Sequence, residues 1–140
     1  MAMTNPNTTI KQVLVIRKDL NMRKGKMTAQ GSHASMASLF GRDRAEKTVN
    51  PDGSVRLSFT LTPDQYHWFQ FLSAKIVVGV NSEEELMRIY ETCTHQNIPA
   101  VLIQDAGLTE FGGVPTYTAV GIGPVAADIV DPITGHLSLL

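Results

Sequence analysis

The sequence predicts a single α/β domain over residues 1–140, in which a four-stranded, mostly parallel mixed sheet lies between helical layers in a three-layer α/β/α arrangement. Three observations lead to this fold class. Four short apolar runs are typical of buried strands, helical signals occupy the segments between them, and 140 residues suit one domain. Strands that alternate with helices favour parallel pairing, because each crossover returns the chain to the same sheet edge.

The first predicted strand and helix lie near the N-terminus. QVLVIR, residues 12–17, is short and β-branched, which indicates a strand buried on both faces. After the polar turn DLNMRKG, a helix is expected from about Gly25 to Gly41, with Gly41-Arg42-Asp43 as its stop. Most of this helix consists of small residues, which would let it lie close to a sheet.

Residues 43–61 predict a hairpin arm outside the main sheet. Asn50-Pro51-Asp52-Gly53 is a strong turn signal, and the strand after it has one apolar face. That face consists of Val55, Leu57, Phe59 and Leu61. We expect it to pack on its own domain, and the alternative is packing on a partner subunit.

The second half of the chain alternates helices and strands. Thr62-Pro63 opens a short aromatic helix, since threonine can cap it and proline suits the first helical position. Ser82 and Glu85 match a capping box before an amphipathic helix that ends near Pro99. Cys93 lies on the apolar stripe of that helix and is expected to be inert core. The remaining elements are strands at 75–80, 100–105 and 118–123, a short helix opened by Pro124, and turns at Asp131-Pro132 and Thr134-Gly135.

The composition limits the class of protein. Hydrophobic residues make up 43% and charged residues 18%, which is an ordinary globular balance. No apolar run approaches the roughly 18 residues of a membrane span, and the N-terminus lacks the pattern of a signal peptide. The single cysteine excludes an internal disulfide and suits a reducing compartment. We therefore expect a soluble, cytoplasmic protein with no membrane partner.

Charge is distributed unevenly along the chain, although the net charge is −1. Residues 1–60 hold ten Lys/Arg against four Asp/Glu, whereas residues 61–140 hold two against nine. Five cations lie within residues 17–26 and face only Asp19; they are Arg17, Lys18, Arg23, Lys24 and Lys26. Such a cluster can attract nucleic acid or phosphate, and the alternative is a solvated basic face.

Two polar segments are candidates for a site. On a helix, Lys26, Gln30 and His33 share one face, and the lysines would stand beside the unpaired N–H groups of its first turn. Asp105 ends a predicted strand and Thr109 follows it, at the sheet edge where α/β proteins bind ligands. If the two strands are parallel, both segments face one crevice. The alternative is a basic helix cap and a turn cap. No phosphate loop, nucleophile elbow or zinc spacing is present.

Three sequence blocks together are specific: K-G-K-x-x-A-Q around Lys24 and Lys26, D-A-G-x-T from Asp105 to Thr109, and G-I-G-P at 121–124. With KIVV, EEEL and the C-terminal GPVAADIVDPITGHLSLL, they resemble the archaeal/eukaryotic-type peptidyl-tRNA hydrolases over about residues 11–42 and 66–140. The arm has no clear counterpart in that family.

The resemblance implies a homodimer that hydrolyses the ester between a peptide and the 3′ ribose of tRNA, with peptidyl-tRNA as partner and no metal or organic cofactor. By motif match, the implied site consists of Lys24, Lys26, Gln30, His33, Asp105, Thr109 and Thr118. The tRNA backbone would lie on Arg17, Lys18, Arg23, Lys24 and Lys26. Two alternatives stay open: a non-catalytic RNA- or protein-binding module of the same fold, and a hydrolase of a small-molecule ester or amide.

Overall fold

The computed structural model describes residues 9–41 and 44–140, so Arg42 and Asp43 of the predicted helix stop lie outside the described residues. In chain order the elements are β1 (Ile10–Arg17), α1 (Lys24–Phe40), β2 (Glu46–Val49), β3 (Val55–Ser58), α2 (Pro63–Gln70), β4 (Lys75–Val80), α3 (Glu83–His95), β5 (Ala100–Asp105), β6 (Thr116–Ala126) and α4 (Ala127–Thr134). Helices α1 and α2 cover one face of the main sheet, and α3 and α4 cover the other. The predicted three layers are confirmed.

The main sheet has the strand order β4-β1-β6-β5. Strands β1, β4 and β5 run in one direction and β6 runs against them, which confirms a mixed sheet with mostly parallel strands. Two of the three neighbouring pairs are nevertheless antiparallel, because β6 lies inside the sheet. The chain reaches β6 from β5 through a loop without a helix, and such a connection reverses the strand direction.

Helix α1 packs unusually close to the sheet, as its small residues predict. Ala34 is fully buried, and a Cβ added to Gly121 of β6 would lie 2.3 Å from the backbone oxygen of Ala34. Glycine is therefore required at position 121 for a steric reason, since any side chain would push the helix away from the strand. This contact determines the distance between α1 and the sheet.

The region around Pro124 and Pro132 differs from the sequence prediction. Pro124 does not open a helix but lies within β6, which continues to Ala126 by pairing with β1. The register of that pairing shifts between Lys11 and Val13, and such irregularities accommodate a proline. The predicted turn at Asp131-Pro132 lies inside α4, whose C-cap is Gly135. Both predictions were wrong. At Pro124, the pairing of β6 with β1 overrode the local proline signal, and at Pro132 the helix continues through the proline.

The hairpin arm is formed by β2 and β3, and every residue of both strands is exposed. Its base packs on its own domain: the ring centroid of Phe59 lies 4.8 Å from that of Phe40. Val55 and Leu57 are 47% and 55% exposed, so the expected packing within the chain does not extend to the tip.

The larger core lies between the sheet and the α3/α4 layer and includes Cys93, which is fully buried. Burial raises the pKa of the Cys93 thiol to about 11, so the thiol stays protonated at neutral pH and is unreactive, as expected. Among the described residues, no helix combines the length and hydrophobicity needed to cross a bilayer.

Substituting Gly121→Ala should lower the free energy of unfolding by roughly 2 kcal/mol or more, because the new methyl group overlaps the α1 backbone. The matched control is Gly31→Ala, whose Cβ would meet only Leu14 at 3.9 Å, so it should be neutral or stabilise the helix by up to about 1 kcal/mol. Urea denaturation of both variants measures the difference. Equal stabilities would contradict the proposed steric role of Gly121.

Candidate active site

The two candidate segments meet at the carboxyl end of the sheet. Strand β5 delivers Asp105 there, and the first turns of α1 deliver Lys26 and Gln30. Lys26 and Asp105 are 79 residues apart in sequence, yet their side chains form a direct hydrogen bond. The two segments therefore meet at one edge of the sheet, and their contact joins a cation from the basic half of the chain to a carboxylate from the acidic half.

The ammonium group of Lys26 is the centre of the site. Its Nζ donates to Asp105 Oδ1 at 2.8 Å and to Thr109 Oγ1 at 2.8 Å. It also lies 5.5 Å from the centroid of the Phe111 ring, a favourable cation–π position. The side chains of Lys26 and Asp105 are only 14% and 15% exposed. An ammonium has three donors, so one N–H of Lys26 is left for another acceptor.

Gln30 connects this pair to the middle of the sheet. Thr118 donates to Gln30 Oε1 at 2.6 Å, and Gln30 Nε2 donates to Asp105 Oδ1 at 3.3 Å. Both Gln30 and Thr118 are almost completely buried. A buried hydroxyl that satisfies the amide oxygen leaves the amide NH₂ directed at the carboxylate. The chain Thr118–Gln30–Asp105 therefore fixes the orientation of Asp105.

The second oxygen of Asp105 is held by its own loop. The Gly107 N–H donates to Asp105 Oδ2 at 2.8 Å. Gly107 has φ +81, and a Cβ there would lie 2.2 Å from the Val114 oxygen, so the tight turn requires glycine. A carboxylate offers about four lone-pair sites, and the described residues use three of them. The remaining site, on Oδ2, can accept a hydrogen bond from water.

The surroundings of Asp105 lower the pKa of its carboxyl group below the usual value of 3.8. The largest cause is the hydrogen bond from Lys26; the Gly107 N–H, the charge of Lys26 and the Gln30 amide act in the same direction. Partial burial opposes them but is outweighed. Asp105 is therefore ionised at neutral pH.

Two predicted site residues lie apart from this network. Lys24 is exposed and lines a groove of about 660 Å³ on the β4 side of α1, together with Met27, Thr28 and Lys75. His33 is exposed and forms no hydrogen bond within the described part of the chain. Helical spacing predicts His33 on the face shared by Lys26 and Gln30, but within the described residues no hydrogen bond joins it to the Asp105 network.

The cations predicted to contact RNA divide into two groups. Arg17 is 9% exposed, and its guanidinium donates to Asp19 and to the Tyr117 carbonyl, which argues against a direct phosphate contact. Lys18, Arg23 and Lys24 are exposed. Arg23 Nε lies 3.8 Å from Glu110 Oε1 at the mouth of the site.

Sequence reasoning missed three contributors to the site: the Gly107 N–H, the Phe111 ring and the Glu110 carboxylate. The spacing Asp-x-Gly could have predicted the Gly107 contact, since an aspartate side chain commonly accepts a hydrogen bond from the backbone N–H two residues later in the chain. Among residues 9–41 and 44–140, no three His, Cys, Asp or Glu side chains gather as metal ligands.

Replacing Lys26 with methionine should raise the pKa of Asp105, because the largest cause of its depression is lost while partial burial remains. Carboxyl ¹³C chemical shifts followed between about pH 2 and 6 measure it. The native pKa is below the unfolded one, so the ion pair stabilises the fold above about pH 4 and this stabilisation is lost as pH falls through the native pKa. Lys24→Met is the control. An unchanged Asp105 pKa in Lys26→Met would refute the assignment.

Comparison with known proteins identifies relatives across nearly the whole chain. The family model described as Peptidyl-tRNA hydrolase PTH2 matches residues 10–140. A peptidyl-tRNA hydrolase of Methanocaldococcus jannaschii is 39% identical over 131 residues, which cover 94% of this chain and all of that protein. Peptidyl-tRNA hydrolases of Sulfurisphaera tokodaii and Staphylothermus marinus are 38% and 35% identical, covering 93% and 96% of this chain and 98% of each relative. The resemblance found in the sequence is confirmed.

Proposed function

The chain belongs to the peptidyl-tRNA hydrolase PTH2 family, and we propose that it hydrolyses the ester bond of peptidyl-tRNA at the Lys26–Asp105 pair, releasing peptide and free tRNA. Family membership favours an enzyme over a binding module, and it favours tRNA over a small-molecule ester. The observation that carries the assignment of the site is the ionised Asp105, which has three fixed donors and one open lone-pair site on Oδ2.

The proposed reaction begins with a water molecule that donates a hydrogen bond to Asp105 Oδ2. As the water oxygen attacks the ester carbonyl carbon, Asp105 accepts its proton, and the carbonyl oxygen becomes an oxyanion. The tetrahedral intermediate then collapses: the bond to the ribose oxygen breaks, and that oxygen takes the proton that Asp105 had accepted, which restores the carboxylate. An aspartate with a low pKa is a weak base, so its main contribution is to orient the water.

Lys26 would stabilise the oxyanion through its remaining N–H. Its ammonium is already fixed by Asp105, Thr109 and the Phe111 ring, so it needs little rearrangement as charge develops. Gln30 and Thr118 would act as positioning residues for Asp105. The exposed position of His33 gives it no such contact.

The tRNA backbone would lie over the exposed cations at the start of α1. Lys24 is separated from Lys26 by the helix and has no part in the Asp105 network, so we assign it to phosphate binding, with Lys18 and Arg23. Contacts of this kind hold the backbone without reading bases, and binding should weaken steeply as salt is raised.

Single-turnover release of an N-acetylated amino acid from tRNA tests the proposed site. Asp105→Asn should reduce the rate constant by roughly 10²–10⁴-fold, because the amide neither orients the water as the carboxylate does nor accepts its proton, while tRNA affinity is retained. Lys24→Ala should show the opposite pattern, with weaker tRNA binding and a maintained rate once all the RNA is bound. Tight, salt-sensitive binding without release by the wild-type protein would contradict the hydrolase function. Full activity in Asp105→Asn would contradict only the site.

We also propose that the enzyme is a homodimer and acts in the cytoplasm, where ribosomes produce peptidyl-tRNA. Support for the dimer comes from one exposed side of the arm, which carries Val49, Val55 and Leu57 together with Lys47. This surface continues through Phe59 and Phe40 to the ring of Phe69, which is 52% exposed. Continuous apolar surface of this extent is typical of interfaces, and a two-fold axis would bury it against itself.

Leu57→Ser should shift the protein from dimer to monomer, because it places a polar group at the centre of that surface. Thr48→Ala on the opposite side of the hairpin is the matched control and should remain dimeric. Sedimentation velocity over a range of concentrations measures both. A wild-type monomer would contradict the dimer, and a dimer unaffected by Leu57→Ser would contradict the arm as its interface.

A further inference from the structure

Two backbone hydrogen bonds hold Lys18 in place. It directly follows β1, and its N–H donates to the Val80 carbonyl at 2.7 Å. Its own carbonyl accepts from the Asn21 N–H at 3.2 Å. These bonds tie the turn after β1 to the end of β4, so the Cα–Cβ direction of Lys18 is fixed before any ligand binds.

The side-chain stem of Lys18 lies against β4 at Gly79. A Cβ added to Gly79 would lie 2.5 Å from Cδ of Lys18 and 2.8 Å from its Cγ and Cε, so any other residue at position 79 would displace the lysine. The backbone at Gly79 is not in the left-handed region that demands glycine. Glycine within a strand weakens it, so its use here needs another reason. What Gly79 supplies is the space in which the Lys18 stem lies.

The position of Lys18 suits contact with the substrate. Gly79 is paired with Ile16, which packs in the apolar cluster under α1, so the Lys18 stem lies on the face of the sheet that α1 covers. β1 and β5 run in the same direction, so Lys18 and Asp105 lie at the same edge. Within the described residues, Lys18 forms no ion pair, whereas Lys26 and Arg17 do.

We propose that Gly79 is a positioning residue that pre-orders Lys18 to bind a backbone phosphate of the tRNA acceptor arm; this rests on the proposed function. A free lysine loses side-chain entropy when it binds a phosphate, and a stem already confined against a strand loses less. Lys18 therefore binds more tightly than a surface lysine with the same charge. The contact is independent of base sequence and adds to the salt dependence of binding.

The experiment measures binding of deacylated tRNA to Lys18→Met, Gly79→Ala and the double variant by fluorescence anisotropy over a range of KCl concentrations. Lys18→Met should raise Kd roughly three- to tenfold at about 0.1 M salt and reduce the slope of log Kd against log salt by about one. Gly79→Ala leaves the charge in place but displaces it, so it should raise Kd in the same direction. The double variant should bind no more weakly than Lys18→Met alone. The single-turnover rate of Gly79→Ala with all the RNA bound should be unchanged.

Two matched controls exclude general effects. Gly31→Ala adds a methyl group that meets only an ordinary contact, and Lys75→Met removes a lysine from the other end of β4. Both should bind tRNA like the wild type. Wild-type binding by Gly79→Ala, or a double variant whose loss equals the product of the single losses, would overturn the proposal while leaving the hydrolase function intact. A wild-type protein that neither binds nor hydrolyses its tRNA substrates would overturn both.

Discussion

The close approach of α1 to the sheet at Ala34 and Gly121 is the constraint on which the rest of the structure depends. At this point of contact only small side chains fit between the helix and the sheet. Buried polar contacts on either side of it add to the apolar packing of Met27 and Leu39. Gln12 of β1 donates to the Ser35 carbonyl and to Ser38 Oγ. Nearer the N-terminus of α1, Thr118 of β6 donates to Gln30. The Lys26–Asp105 ion pair follows in the first turn of α1, at the carboxyl end of β5.

The site follows from this attachment. A polar group buried without a partner is costly, and the buried Gln30 and the partly buried Asp105 are both satisfied by hydrogen bonds. The same bonds that satisfy Asp105 lower its pKa and fix its direction. A carboxylate held in this way is a poor base but a well-oriented acceptor. That combination suits hydrolysis of an ester, in which placing the water and stabilising the oxyanion are the main requirements.

The uneven charge of the chain also has a structural explanation. Four ion pairs in the described residues join a cation from the first 60 residues to a carboxylate from the remaining 80: Lys11–Asp131, Arg17–Glu83, Arg23–Glu110 and Lys26–Asp105. Part of the basic cluster is therefore neutralised internally. The two cations of the cluster outside these pairs, Lys18 and Lys24, are exposed near the start of α1, where they can attract a polyanion to the site.

By itself, the sequence determined the bounds of β4 and β5 and the N-caps of α2 and α3, because those features depend on neighbours a few residues apart. The alternation of strand and helix signals also predicted the three layers. The sequence also contained enough motif information to identify the family. Only the tertiary structure decided that Pro124 continues a strand, since the pairing of β6 with β1 joins residues more than a hundred positions apart. Tertiary structure likewise separated Lys26 from Lys24 and Gln30 from His33. Helical spacing specifies which residues share a face, whereas the distance of each from Asp105 depends on where α1 crosses the sheet.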